Sequence, residues 1–292
     1  MCLRGFGDAL YLIEKGTCPL RTQNLLVPLA LGWLLCLGCL AFLGEEPSPA
    51  VAAPIRTTRY VHTAGSDSSG CTEATAPCWT IQCAVDRAAT GDEIRVAAGT
   101  YADVPVRGGL RQVVYISKTL ALRGGYVPDS ATRNLTAFST ALDAEGQGRG
   151  LVIKSSTEFS QPISPLVEGL HVTGGDATGL GGSPVGLDAG GGVYISQAAP
   201  TVSGCLVYAN VACTDHRAHG GGLYLLDSGG LLQENDVRLN TASTAGYGEG
   251  YGGGISLRNS TVQLSGNAII SNTASAAFYG HGGGPTFSTV PQ

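Results

Sequence analysis

The sequence predicts an all-β parallel solenoid, a coil of short strands stacked turn upon turn. Three observations carry this. First, Gly-Gly-Gly recurs at Gly190, Gly220, Gly252 and Gly282, at spacings of 30, 32 and 30 residues. Second, aliphatic residues alternate after the first three triplets: Val193 and Ile195 about Tyr194, Leu223 and Leu225 about Tyr224, Ile255 and Leu257 about Ser256. Third, Asn210, Asn240 and Asn272 close successive repeats, with Cys205, Asn235 and Asn267 five positions earlier. Alternation of period two marks strands. The same aliphatic column in every repeat gives a shared interior, which only stacking can bury. Glycine supplies tight bends, and asparagine tolerates the left-handed conformation. Stacked asparagines bond to one another along a ladder inside a turn. Cys205 takes one rung of the second ladder as a small buried filler.

The elements follow in order. Residues 1–24 precede an uncharged run, Leu25 to Gly44, within the segment 25–53. Arg4, Lys15 and Arg21 stand before this run and Ala50-Val51-Ala52-Ala53 after it. It reads as a cleaved export signal or a retained membrane anchor, and both put the rest of the chain outside the cytoplasm. Residues 54–79 form a linker and a cysteine-containing loop. Cys71 and Cys78, with Pro77 before the second, suit a small disulfide-closed loop, with Cys83 left over. Three sulfurs binding a metal are the alternative. The solenoid occupies 80–292. Thr80 to Ala89 is a short helix, with Ile81, Ala84, Val85 and Ala88 on one face. Strands then follow at Glu93 to Ala97, Val113 to Ser117, Thr119 to Arg123, Leu151 to Ile153 and Leu166 to Thr173, after a first strand at Tyr60 to His62.

Composition limits the function. The net charge is −5, with 17 Lys and Arg against 22 Asp and Glu, and no basic patch, so nucleic acid is an unsuitable partner. Hydrophobic content of 43% alongside 44 glycines excludes a disordered glycine-rich linker.

Two motifs carry a family resemblance. PCWTIQCAVDRAATGDEIRVAAGTY, from Pro77 to Tyr101, resembles the opening segment of right-handed parallel β-helix proteins of the pectate-lyase-like superfamily, where a short helix caps the coil. The segment is also similar to the start of pectinesterases. The GGG and Asn repeats resemble those of polymorphic outer-membrane proteins. The resemblance covers residues 60–284 and implies a right-handed parallel β-helix with a capping helix. It implies no single activity, because this fold carries lyases, hydrolases, esterases, adhesins and inert stalks.

Chemistry of the pectate-lyase kind needs acidic residues converging on Ca²⁺ and a basic residue as proton acceptor. Glu234, Asp236 and Arg238 are the nearest approach, two carboxylates set to share a strand face, but no other acid occupies their columns. Gly280-His281-Gly282 matches a polygalacturonase tripeptide without its paired aspartates, and its column reads Ala189, His219, Tyr251, His281. Asp143 and Asp176 lack a pectinesterase context. Asp176 and Glu249, each beside glycines, could donate oxygens to Ca²⁺ but lack the nine-residue period of a calcium β-roll. His62 and His171 stand singly in strands, and Asp215-His216-Arg217, with Cys213 nearby, reads as a polar loop. No cofactor and no resident metal are expected.

The expectation is therefore an exported or surface-anchored solenoid with a structural, adhesive or polysaccharide-binding role. Tyr194 and Tyr224, outward on adjacent coils, are the candidate sugar-stacking pair. The alternative is a polysaccharide lyase or glycoside hydrolase whose site is unrecognised. Pro285 stands where Val193, Leu223 and Ile255 stand in earlier repeats, and the chain stops before any further Asn, so a C-terminally incomplete solenoid is expected.

Overall fold

The computed structural model describes residues 56–128, 132–155 and 162–288. The predicted signal or anchor and the residues before it lie outside these. The chain is a parallel β-solenoid with seven strands in each of its two longest sheets. One sheet, here the glycine sheet, runs Val106–Arg107, Leu110–Ile116, Arg149–Lys154, Val193–Ser196, Leu223–Leu226, Ile255–Arg258 and Pro285–Ser288. Its first two strands pair antiparallel, and all later neighbours pair parallel. The second sheet runs Thr58–Val61, Glu93–Ala97, Ala121–Tyr126, Leu166–Glu168, Thr201–Ser203, Leu231–Gln233 and Gln263–Ser265. The third runs Gly99–Tyr101, Thr140–Asp143, His171–Thr173, Leu206–Tyr208, Asp236–Arg238 and Ala268–Ile270. A fourth holds Val211–Cys213, Thr241–Ser243 and Thr273–Ser275. A fifth, the outer sheet, holds Asp188–Ala189, Ala218–His219, Gly250–Tyr251 and Gly280–His281.

The predicted alternation has its physical basis in register. Val193 sits on Leu223 and Leu223 on Ile255, while Val207 sits on Val237 and Val237 on Ile269. These columns fill one continuous apolar interior. The helix at the amino end of the coil is Ile81–Arg87. The Thr80 hydroxyl caps it by accepting from the Cys83 N–H, and its buried face is Ile81, Ala84 and Val85. The predicted run Leu166 to Thr173 divides into two strands of different sheets, because Gly169 turns the chain at φ 68°.

The corners show how the asparagines work. The left-handed residues are those just before them: Ala209, Leu239 and Ser271 at φ 53°, 57° and 53°. The asparagines themselves are not left-handed, contrary to expectation. Their side chains form the ladder instead. The Asn210 N–H and Nδ2 both donate to Asn240 Oδ1, at 3.1 and 2.9 Å. The Asn240 N–H and Nδ2 both donate to Asn272 Oδ1, at 3.0 Å each. Asn240 Nδ2 also reaches the Val207 carbonyl at 2.9 Å. A second ladder runs from the Cys205 N–H to Asn235 Oδ1, and from the Asn235 N–H and Nδ2 to Asn267 Oδ1. Cys205 is buried and ends that ladder without a side-chain amide.

The triplet glycines answer to three different demands. Gly190 has φ 68°, a conformation that penalises any side chain. A Cβ on Gly191 would overlap the Val211 carbonyl of the fourth sheet. A Cβ on Gly192 would stand 2.8 Å from Asn210 Nδ2 and 2.7 Å from the Gly222 carbonyl of the next coil. The triplet and the ladder are therefore two sides of one packed corner.

Replacing Asn240 with Leu removes the acceptor for Asn210 and the donors to Val207 and Asn272. The expected loss is about 1–3 kcal/mol, read as a lower midpoint in denaturant unfolding. An unchanged midpoint would show that water replaces the ladder.

Candidate functional site

Parallel strands buried on both faces need a covering layer. In the glycine sheet that layer is the outer sheet together with the loop 177–187, which lie against its outward side chains. This changes the standing of Tyr194 and Tyr224. Their side chains do point away from the aliphatic interior, and their rings stack at 6.0 Å. But Tyr194 is 5% exposed and Tyr224 fully buried, so neither can stack on a sugar from solvent. The cause is local in sequence: the triplet doubles the chain back, bringing residues that precede it over those that follow. The Tyr194 hydroxyl donates to the Gly182 carbonyl at 3.0 Å. Arg149, fully buried, lies 4.9 Å from the Tyr194 ring and donates to the carbonyls of Ala189 and Gly181. Burial lowers its pKa to about 10, so it stays charged at neutral pH.

The accessible aromatic column belongs to the outer sheet. His219 stacks on Tyr251 at 4.8 Å, and Tyr251 on His281 at 4.7 Å with rings within 7° of parallel. Register makes this column, since Ala189, His219, Tyr251 and His281 occupy one position of the outer sheet. An open groove of about 510 Å³ runs beside it, lined also by Arg217, Arg258, Ser256 and Thr286. The Tyr251 hydroxyl donates to Glu249 Oε2 at 2.8 Å, and Arg217 Nη1 lies 3.6 Å from the same oxygen. Burial, helped by the nearby Arg258, lowers the His219 pKa to about 4. The His219 ring is therefore neutral under ordinary conditions, and the groove's fixed positive charge comes from the two arginines. The sequence showed this column, but only as a failed Gly-His-Gly match. Its aromatic character, not the tripeptide, was the useful signal.

The other sequence candidates do not converge. Glu234 does not share a strand with Asp236. It is the left-handed corner residue, φ 53°, where neighbouring coils place Gly204 and Gly266. Asp236 opens the next strand and pairs with Arg238 at 3.4 Å, flanked by Leu206 and Ala268. Two carboxylates on different elements, with one already holding the arginine, leave no cluster for a hard cation. Asp143 and Asp176 accept the N–H groups of Glu145 and Thr178 and so shape their own turns. Asn235, Asn267 and the Asn210 column serve the ladders. Cys71 and Cys78 form a disulfide with Cα atoms 5.0 Å apart, and Cys83 Sγ stands 3.4 Å from Cys78 Sγ. Burial and the nearby Asp67 raise the Cys83 pKa, so it is held as a thiol.

No protein-family model matches the chain, and no curated protein matches it. Among solved structures the chain is similar to a rhamnogalacturonan lyase, with a TM-score of 0.32 and 14% identity over 80% of this chain and 67% of that one.

Two outcomes are expected. Peptide mapping without reductant should find Cys71 joined to Cys78 and Cys83 free; a Cys78–Cys83 link would overturn this pairing. His219 titrates at 6.5 unfolded and near 4 folded, so the unfolded chain takes up its proton first as pH falls. Its contribution to stability is present above pH 6.5 and is lost as pH falls through about 4. His219→Phe should flatten that part of the stability–pH curve, measured by melting at successive pH values; an unaltered slope would place the loss elsewhere.

Proposed function

We propose that this chain is an exported or surface-anchored solenoid that binds an acidic polysaccharide non-catalytically along the outer-sheet groove. The observation that carries this reading is the stack of His219, Tyr251 and His281 beside Arg217 and Arg258. Polar ring edges repeating at the coil spacing suit the hydroxyl groups of sugar rings laid along the groove. Guanidinium groups suit uronate carboxylates, which they bind with two parallel hydrogen bonds. The absence of a second carboxylate cluster near Asp236, among the described residues, argues against lyase chemistry there. The disulfide and the apolar run Leu25 to Gly44 support an extracytoplasmic location.

Oligogalacturonides should bind the purified chain, measured by calorimetry, and the affinity should fall with added salt. Tyr251→Ala and Arg258→Ala should each weaken binding about tenfold, while Asp236→Ala should leave it unchanged. No unsaturated product should form, with or without Ca²⁺. Binding insensitive to both groove substitutions, or ultraviolet-absorbing product lost on Asp236→Ala, would overturn the reading.

A further inference from the structure

Cys213, in the fourth sheet, is a buried thiol with no role in the ladders or the groove. Its Sγ lies 2.8 Å from His216 Nδ1. Asp188, in the outer sheet of the preceding coil, completes a cluster whose ligand atoms all lie within 4.8 Å of one another. We propose that Asp188, Cys213 and His216 bind one borderline divalent cation of the zinc class, tying the loop 177–187 to the fourth sheet.

The ligand set chooses the metal. One thiolate, one imidazole and one carboxylate suit zinc, whereas calcium wants six or more oxygens. Tetrahedral zinc places such ligands about 3.4–3.6 Å apart, from bond lengths of about 2.0–2.3 Å. The sulfur–nitrogen separation here must widen by roughly 0.7 Å to reach that range. The His216 side chain is 44% exposed and free to make that adjustment. Its exposed side also leaves the fourth position open to water, while Asp188 and Cys213 are buried.

The surroundings behave as a supporting shell. The N–H groups of Gly179 and Gly181 donate to the two Asp188 oxygens at 2.8 and 2.7 Å, which fixes the carboxylate. The Ser243 hydroxyl donates to the His216 carbonyl at 2.7 Å, which fixes the turn. Among the described residues, no Lys or Arg nitrogen forms an ion pair with Asp188. Its one such contact is His216 Nε2 at 3.8 Å, and Arg149 donates to carbonyls instead. The buried Arg149 guanidinium acts on Asp188 electrostatically without forming an ion pair, and a bound cation would add the direct ionic contact that this carboxylate lacks.

Asp188 registers with Ala218, and Cys213 with Ser243. Ser275 donates to the Gly248 carbonyl as Ser243 donates to that of His216, so Gly248 is the counterpart of His216. The next interval therefore holds Ala218, Ser243 and Gly248, and none of the three ligand types. The three ligands arise together in one interval and are absent together from the next, although the backbone repeats. Building this corner does not require them.

The test is titration of the purified full chain, with Cys71–Cys78 intact, using Co²⁺ and then Zn²⁺. One equivalent of Co²⁺ should release the thiol proton and give a thiolate-to-cobalt charge-transfer band, which Zn²⁺ should abolish by displacing the cobalt. Cys213→Ser supplies the hydroxyl that Ser243 and Ser275 already use in this column, so it should fold. It should abolish the band and weaken Zn²⁺ binding at least tenfold. His216→Ala should weaken Zn²⁺ at least tenfold with the melting temperature of the metal-free protein retained, and Cys83→Ser should change neither reading. Absence of the band in the unaltered chain, its survival in Cys213→Ser, or its loss in Cys83→Ser would overturn the proposal.

Discussion

Everything in this structure depends on one repeated corner, where a ladder asparagine packs against a glycine triplet. Strand pairing fixes the spacing between coils at about 4.8 Å, and each corner must match the one above it at that spacing. Asn210, Asn240 and Asn272 make the match specific, because each upper asparagine spends a backbone and a side-chain donor on the carbonyl oxygen of the one below. The room for those amides exists only because Gly192, Gly222 and Gly254 carry no side chain: a Cβ at any of them would stand 2.8–2.9 Å from an asparagine Nδ2. The ladder cannot be kept while the glycines change, nor the glycines exploited without the ladder. Each buried amide group left unsatisfied would cost about 1–3 kcal/mol.

The same corner creates the second layer. By folding the chain back on itself, the triplet brings Ala189, His219, Tyr251 and His281 over the outward side of the glycine sheet. Tyr194 and Tyr224 become interior residues of that layer, with the Tyr194 hydroxyl and Arg149 held by backbone carbonyls. The exposed aromatic face moves one sheet outward, to the His219, Tyr251 and His281 stack. Where the loop 177–187 enlarges one interval, it also brings Asp188 beside Cys213 and His216. A repeated scaffold thus leaves its variable chemistry to the positions where neighbouring coils differ, as expected when function is grafted onto a fold.

The disulfide loop at the other end solves a different problem. The short helix Ile81–Arg87 buries Ile81, Gln82, Ala84 and Val85, of which three are apolar. The Cys71–Cys78 link and Asp67, which accepts from the N–H groups of Trp79 and Thr80 and from the Thr80 hydroxyl, hold the chain before it in place. Small elements with little apolar area gain most from such cross-links.

The sequence by itself determined the solenoid, its repeat, the inward aliphatic columns, both asparagine ladders and the presence of one short helix. Each of these is a local pattern that stacking merely repeats, so period and register were readable from residues such as Val193, Leu223 and Ile255. Only the tertiary structure decided which residues lie outside. Alternation showed that Tyr194 and Tyr224 face away from the interior, but it could not show that a chain segment returns to cover them. Nor could it show that Glu234 turns a corner while Asp236 begins a strand, because two residues of separation look alike in a strand and around a bend. The meeting of Asp188 with Cys213 and His216 was equally hidden. Their spacings of 25 and 28 residues from Asp188 become contact only when one coil lies upon the next.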